Sequence, residues 1–139
     1  MQTQNFLQKI TQALLKFFKR FLMIALLLGI GVMCFMYWGV YERGVMAGKV
    51  LRVTEKGFLF KTHEGKISLD TFGALKGTSP IAETFDFSIA SEEVEVLQML
   101  QEVSLSGERV NLVFIKRYMR FPWRGDTRYF VTGVERIEK

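Results

Sequence analysis

Residues 21–41 read FLMIALLLGIGVMCFMYWGVY, a run without one charged side chain. At helical rise this length spans roughly 31 Å, about the hydrocarbon thickness of a bilayer. Lys19 and Arg20 stand directly before the run and Glu42 and Arg43 directly after it, while Tyr37, Trp38 and Tyr41 cluster where an aromatic interface belt would lie. The pattern predicts a transmembrane helix over 21–41. A cleaved secretory signal is the competing reading, but its apolar core normally has about 7–15 residues and ends on small side chains, whereas this run leads into Met36, Tyr37 and Trp38. Cys34, the single cysteine, follows Met33 instead of the small residue that a lipoprotein site needs.

Upstream, Phe6, Leu7, Ile10, Leu14, Phe17 and Phe18 recur at spacings of three and four, with Gln8, Lys9, Gln12, Lys16 and Lys19 mainly on the other side. Residues 1–20 therefore read as a basic amphipathic segment, suited to the headgroup region or to a short cytoplasmic tail. The arm holds no acid, and Lys19 and Arg20 abut the span, so the N-terminus is expected in the cytoplasm and the following domain outside it. Ala25 and Gly29, one turn apart, form a small-residue face for packing against another helix.

Charge follows the same division. Of the formal net charge of +5, residues 1–43 carry +4 and residues 44–139 carry +1. The basicity belongs to the membrane segment, which argues against nucleic acid as the ligand.

Beyond residue 44 the pattern turns strand-like, and 44–139 is long enough for one small domain. Strands are expected at 44–53, 58–62 and 66–70, joined by turns at 54–57 and at His63-Glu64-Gly65, then an irregular loop at 71–83 and a strand at 84–89. Ser91 is the expected N-cap of a helix through Val103, with Val94, Leu97 and Leu100 as its apolar stripe. Two long strands close the chain at 109–116 and 128–136. The order predicts an N-terminal transmembrane helix followed by a small mostly-β domain, an oligonucleotide/oligosaccharide-binding-like (OB-like) or SH3-like barrel with one helix.

The segment 116–128 concentrates Lys116, Arg117, Arg120, Arg124 and Arg128 against the single acid Asp126, interleaved with Tyr118, Phe121 and Trp123. Such a mixture grips phosphate or stacks on a sugar or base, and it equally suits a protein partner. Tyr118, Arg120, Phe121, Trp123, Arg124 and Arg128 are the candidate contacts. The plainer alternative has Phe121 and Trp123 plugging the barrel end while the arginines pair with the acidic stretch 83–108 or with lipid headgroups; that stretch carries seven acids and no base. No catalytic constellation emerges. His63 is the sole histidine, in an expected turn, and Glu92 and Glu93 sit where a helix start favours acids. No cofactor, metal or catalytic residue is expected.

Gly48-Lys49-Val50-Leu51, the stretch from Lys56 through Phe58-Leu59-Phe60 to Gly65, and above all Phe121-Pro122-Trp123-Arg124-Gly125-Asp126 with the strand after it resemble an uncharacterised family of short single-pass bacterial membrane proteins. Some of its members are labelled 6-phosphogluconate dehydrogenase. That activity requires a βαβ unit with a glycine-rich pyrophosphate turn, for which the β-rich residues 44–139 have no room. The resemblance implies a bacterial inner-membrane location; with the N-terminus in the cytoplasm, as the basic arm suggests, the domain is then expected in the periplasm. The expected role is a non-catalytic accessory or scaffold subunit of an envelope complex, docking on a membrane-protein partner; the alternative is a polyanion, glycan or lipid-headgroup module built on 116–128.

Overall fold

The computed structural model describes residues 2–69 and 83–137. The chain forms two units, Met1–Trp38 and Gly39–Lys139.

The first unit is one helix, α1 (Gln2–Trp38), so the amphipathic segment and the apolar span are continuous. It is long and apolar enough to cross a membrane, and none of its apolar window is buried within the molecule. The helix stops at Trp38, three residues short of the expected end. Tyr41 already belongs to the first strand, because Val40 pairs with Arg117 and Glu42 with Lys116. What remains apolar and helical, residues 21–38, spans roughly 27 Å, still close to a bilayer core. Tyr37 and Trp38 meet edge to face at its end, 5.1 Å between centroids.

The second unit is a small β-rich domain of five strands and one helix: β1 (Val40–Lys56), β2 (Thr62–Leu69), β3 (Glu83–Ile89), α2 (Val94–Ser106), β4 (Arg109–Arg117) and β5 (Tyr129–Arg136). Strand β1 begins four residues before its expected start and serves two neighbours. Its residues 40–49 pair with β4, and its residues 48–56 pair with β2, both antiparallel. The ladder then runs through β3 and β5 back to β4, in the order β1-β2-β3-β5-β4, and closes on itself. The β3–β5 seam is parallel and short, with only Ser88↔Phe130 and Ile89↔Val131 in register.

Inward-facing side chains fill the interior: Val50, Ile67, Phe87, Ile89, Val110, Leu112 and Val131, closed off by Val96, Leu100 and Val103 of α2. Full burial of each such side chain is worth about 1.5–3 kcal/mol. Ile67, Phe87 and Ile89 point inward as alternation predicts. The buried stripe of α2 is shifted from the expected one: Val94 is exposed, Leu97 is half-buried, and Leu100 is shared by both. The helix starts at Val94 after Glu93, which makes no side-chain capping bond, so Ser91 is not the N-cap.

The main correction lies at β2. In place of the strands expected at 58–62 and 66–70 there is a single strand, Thr62–Leu69, and His63-Glu64-Gly65 lies inside it, paired with β1 and β3. The reversal occurs earlier, at 57–61, where Gly57 adopts φ 117°. Gly65, by contrast, is there for close packing. A Cβ at this position would stand 2.3 Å from the ring of Phe87, which is itself fully buried. The loop expected at 71–83 lies, up to residue 82, outside the described residues.

Gly65→Ala should therefore destabilise the domain by about 1–3 kcal/mol through overpacking. Urea unfolding of the full chain in detergent measures this; an unshifted midpoint would contradict the packing of Phe87 on the bare backbone.

Candidate functional site

The connection from β4 to β5, residues 118–128, carries most of the side chains singled out by composition. The structure distributes them over three places instead of one.

The first is a buried polar clamp. Glu64, on β2, is only 5% exposed. Its Oε2 accepts from the Ser88 hydroxyl at 2.6 Å and its Oε1 from the Asp126 amide at 2.9 Å. The Thr127 amide donates to Ser88 Oγ at 3.0 Å, and the Thr127 hydroxyl donates to the Tyr129 carbonyl at 2.9 Å. Ser88 lies between Phe87 and Ile89, which face the core, so its side chain leaves the opposite face of β3; it is buried because the 118–128 connection lies over it. Gly125 permits this approach, since a Cβ there would come within 2.7 Å of Ser88 Cβ and Oγ. Beside the clamp runs a cleft of about 270 Å³ with Arg52, Lys56, Lys66 and Asp86 on its walls. Lys66 and Asp86 pair across it at 3.4 Å, so its charges are largely matched.

The second place is the tip. Residues 121–125 form a tight turn in which the Phe121 carbonyl accepts from the amides of Arg124 at 2.9 Å and Gly125 at 3.2 Å. Phe121 is buried beneath it. Trp123 remains 45% exposed, tilted on Phe121 at 5.1 Å between centroids and edge-on to Phe60 at 6.5 Å. Phe121 is thus buried, though apart from the core cluster, whereas Trp123 stays largely exposed. Arg120 donates to the Asp126 carbonyl at 3.1 Å, and Arg124 lies over the Phe130 ring at 5.9 Å. The acidic stretch finds a different cation: Arg136 of β5 bonds Glu102 at 2.7 Å and Glu108 at 3.3 Å.

The third place is the root of the connection. Tyr118 meets Tyr41 edge to face at 5.5 Å, and Lys116 stands 5.3 Å from the Tyr41 ring, 5.0 Å from the Tyr129 ring and 3.6 Å from the Glu42 carboxylate. The hydrogen bond with Tyr129 is the main reason that the Lys116 ammonium is held above its ordinary value of 10.5; partial loss of water opposes this, and the charge of Glu42 adds to it. The stabilisation is therefore complete below 10.5 and is lost only as pH rises through the raised value. Arg128 is exposed and lines a cleft with Tyr41, Lys116, Arg117 and Tyr118.

Ala25 and Gly29 lie on the exposed surface of α1, and a Cβ at Gly29 would meet nothing within 4 Å. His63 is a half-buried strand residue opposite Glu55 and Ile89. Among the described residues, no three His, Cys, Asp or Glu side chains come together as metal ligands would.

Composition could not single out Glu64, Ser88 and Thr127, which are common residue types. The available signal was positional: read as a strand from Thr62, β2 places a carboxylate in its run of buried residues, where it demands partners. The aromatic residues 58 and 60 were missed because they resembled strand interior. Among known proteins, no family model, curated protein or solved structure matches this chain.

Removing the carboxylate leaves the Asp126 amide and the Ser88 hydroxyl without their acceptor, at a cost of about 1–3 kcal/mol. Glu64→Ala should accordingly speed hydrogen exchange at the Asp126 and Thr127 amides at least tenfold in the full chain in micelles. Unchanged exchange there would remove Glu64 as the clamp.

Proposed function

We propose that this protein is a non-catalytic adaptor, anchored to the bacterial inner membrane by α1, whose β domain docks onto a protein partner in an envelope complex. The domain is read as a barrel of the OB type, in preference to an SH3-like one. Five strands paired in the order β1-β2-β3-β5-β4, a helix between the third and fourth, and a parallel third–fifth seam support that reading. Single-pass anchoring draws on the length and apolarity of α1. The bacterial setting draws on the family resemblance, and a periplasmic domain on the acid-free basic arm.

The observation that carries the docking reading is the exposure of the 57–61 turn. Phe58 is 105% exposed, Leu59 79% and Phe60 51%, and Trp123 extends the apolar surface from the neighbouring connection. The reversal that presents these residues requires glycine at position 57, where φ is 117° and a Cβ would run into the Phe60 carbonyl. Arg120 and Arg124, on the same connection as Trp123, are held by the Asp126 carbonyl and the Phe130 ring respectively. Pre-ordered aromatic residues beside ordered arginines match the central contacts of protein interfaces, and the cationic rim favours a partner with acidic groups around an apolar recess.

A photo-crosslinking amino acid at Phe58 or Trp123 should join the protein in intact membranes to one partner at equal stoichiometry. The same group at Leu105, an exposed apolar residue of α2, should not. Trp123→Ala with Arg124→Ala should lower the crosslink from position 58 at least tenfold while the chain still fractionates with membranes. Crosslinks to lipid alone would overturn the reading in favour of a bilayer-binding tip.

The second reading, a polyanion, glycan or lipid-headgroup module on 116–128, is favoured by one observation only: Lys116 and Arg128 line a cleft separate from the tip.

A further inference from the structure

The cleft beside the clamp, about 270 Å³, is lined by three cations, Arg52, Lys56 and Lys66, and three acidic residues, Glu64, Asp86 and Asp126. Its charges balance in number but not in place. Strand register sets two rows across β1, β2 and β3: Arg52, Lys66 and Asp86 in one, Thr54, Glu64 and Ser88 in the other. Lys66 is taken by Asp86 at 3.4 Å. Arg52 faces Lys66 across the ladder, and like charges at facing positions oppose the pairing. Lys56 lies four residues further along β1, on the same face. Both Arg52 and Lys56 are exposed, and neither makes an ion pair with a described residue.

The other side of the cleft is acidic. Both Glu64 oxygens are occupied, by the Ser88 hydroxyl and the Asp126 amide, and Asp86 is held by Lys66. Asp126 is exposed, and its amide bond to Glu64 places it over β2. Glu64 stands opposite Thr54, midway between Arg52 and Lys56, and neighbouring strands lie about 4.8 Å apart. The two unmatched cations are therefore about one strand spacing from the strand beneath Asp126. A simple anion on Arg52 and Lys56 would lie among carboxylates, and a simple cation at Asp126 would lie among cations. A ligand carrying both charges meets each with its opposite. The cleft is smaller than the roughly 300–1,000 Å³ of pockets for drug-sized ligands, so both charges belong on one small molecule. An α-amino acid carries its carboxylate and ammonium on a single carbon, which suits a gap of this width, and guanidinium is matched to carboxylate.

We propose that this cleft binds a free α-amino acid as its zwitterion, with the carboxylate on Arg52 and Lys56 and the ammonium at Asp126. The site is independent of docking at the tip. A larger molecule that carries the same zwitterionic group shares the recognising chemistry, so the test separates the two sources.

The full chain, isotope-labelled and held in detergent micelles, is titrated with glycine at constant ionic strength and followed by NMR. The expected result is a saturable shift of the Thr54, Asp126 and Thr127 amide signals, with acetate and methylamine each binding at least tenfold more weakly. Arg52→Gln with Lys56→Gln should weaken glycine at least tenfold, and Asp126→Asn at least fivefold. These side chains are exposed and the clamp uses only the main chain of Asp126, so the variants should keep the wild-type spectrum away from the cleft. Lys49→Gln, an exposed cation of β1 outside the cleft, should leave glycine binding unchanged. No saturable shift with glycine, or equal binding by the wild type and the cleft variants, would overturn the site. Acetate binding as tightly as glycine would make it a plain anion site and overturn the zwitterion. A preference of at least tenfold for Nε-acetyllysine over glycine would assign the cleft to a zwitterionic group on a larger molecule and overturn the free amino acid.

Discussion

The carboxylate of Glu64 is the constraint on which the β domain depends. A closed sheet must join its third and fifth strands, yet here only two residue pairs do so. The Glu64 oxygens reach across that short seam, one to the Ser88 hydroxyl on β3 and the other to the Asp126 amide just before β5. Ser88 in turn accepts from Thr127. Side chains thus continue the seam where the backbone ladder stops. A buried ionised group is costly unless its oxygens are matched by donors, and at this position the donors are those that hold the ends of the sheet together.

The same clamp explains why the connection 118–128 can be both rich in charge and well ordered. Its backbone is fixed at the root by the bond between Arg117 and Arg128, in the middle by Asp126 and Thr127 on Glu64 and Ser88, and at the tip by the turn closed on Phe121. Arginines on a mobile loop lose much conformational entropy on binding, whereas those on a fixed loop lose less. Composition suggested one basic-aromatic site. The fold parts it, with Trp123 toward Phe60 of the 57–61 turn, Arg120 on the Asp126 carbonyl, Arg124 over Phe130, and Lys116, Tyr118 and Arg128 toward Tyr41.

Local patterns made much of this legible. The uncharged run gave the long apolar helix, alternation gave β3, β4 and β5, and the apolar spacing gave α2, because in each case the deciding forces act between residues close in sequence. The misreadings share the opposite cause. Glu64-Gly65 has the composition of a turn, but Gly65 accommodates the Phe87 ring and Glu64 serves a loop 62 residues away. Phe58-Leu59-Phe60 has the composition of a strand, but Gly57 has already reversed the chain. The helix end at Trp38 was decided by Val40 finding Arg117, a contact that no window around residue 40 contains. Composition singled out residues of the tip and the root and passed over the clamp that positions them.

Because one connection carries root, clamp and tip, loss of a partner after a change at Trp123 is not by itself evidence that Trp123 touches the partner. Such a change also removes the face that covers Phe121, whose carbonyl closes the turn leading to Gly125 and so to the clamp. A direct contact loses binding while exchange at Asp126 and Thr127 stays slow. A structural role loses both together, because the turn and the Glu64 bonds are then released in one event. The charge at the root gives an independent reference, since Lys116 is held by Tyr129 and Glu42 and needs neither the tip nor the clamp to keep its place. The three places can therefore be separated physically even though the chain makes them one loop.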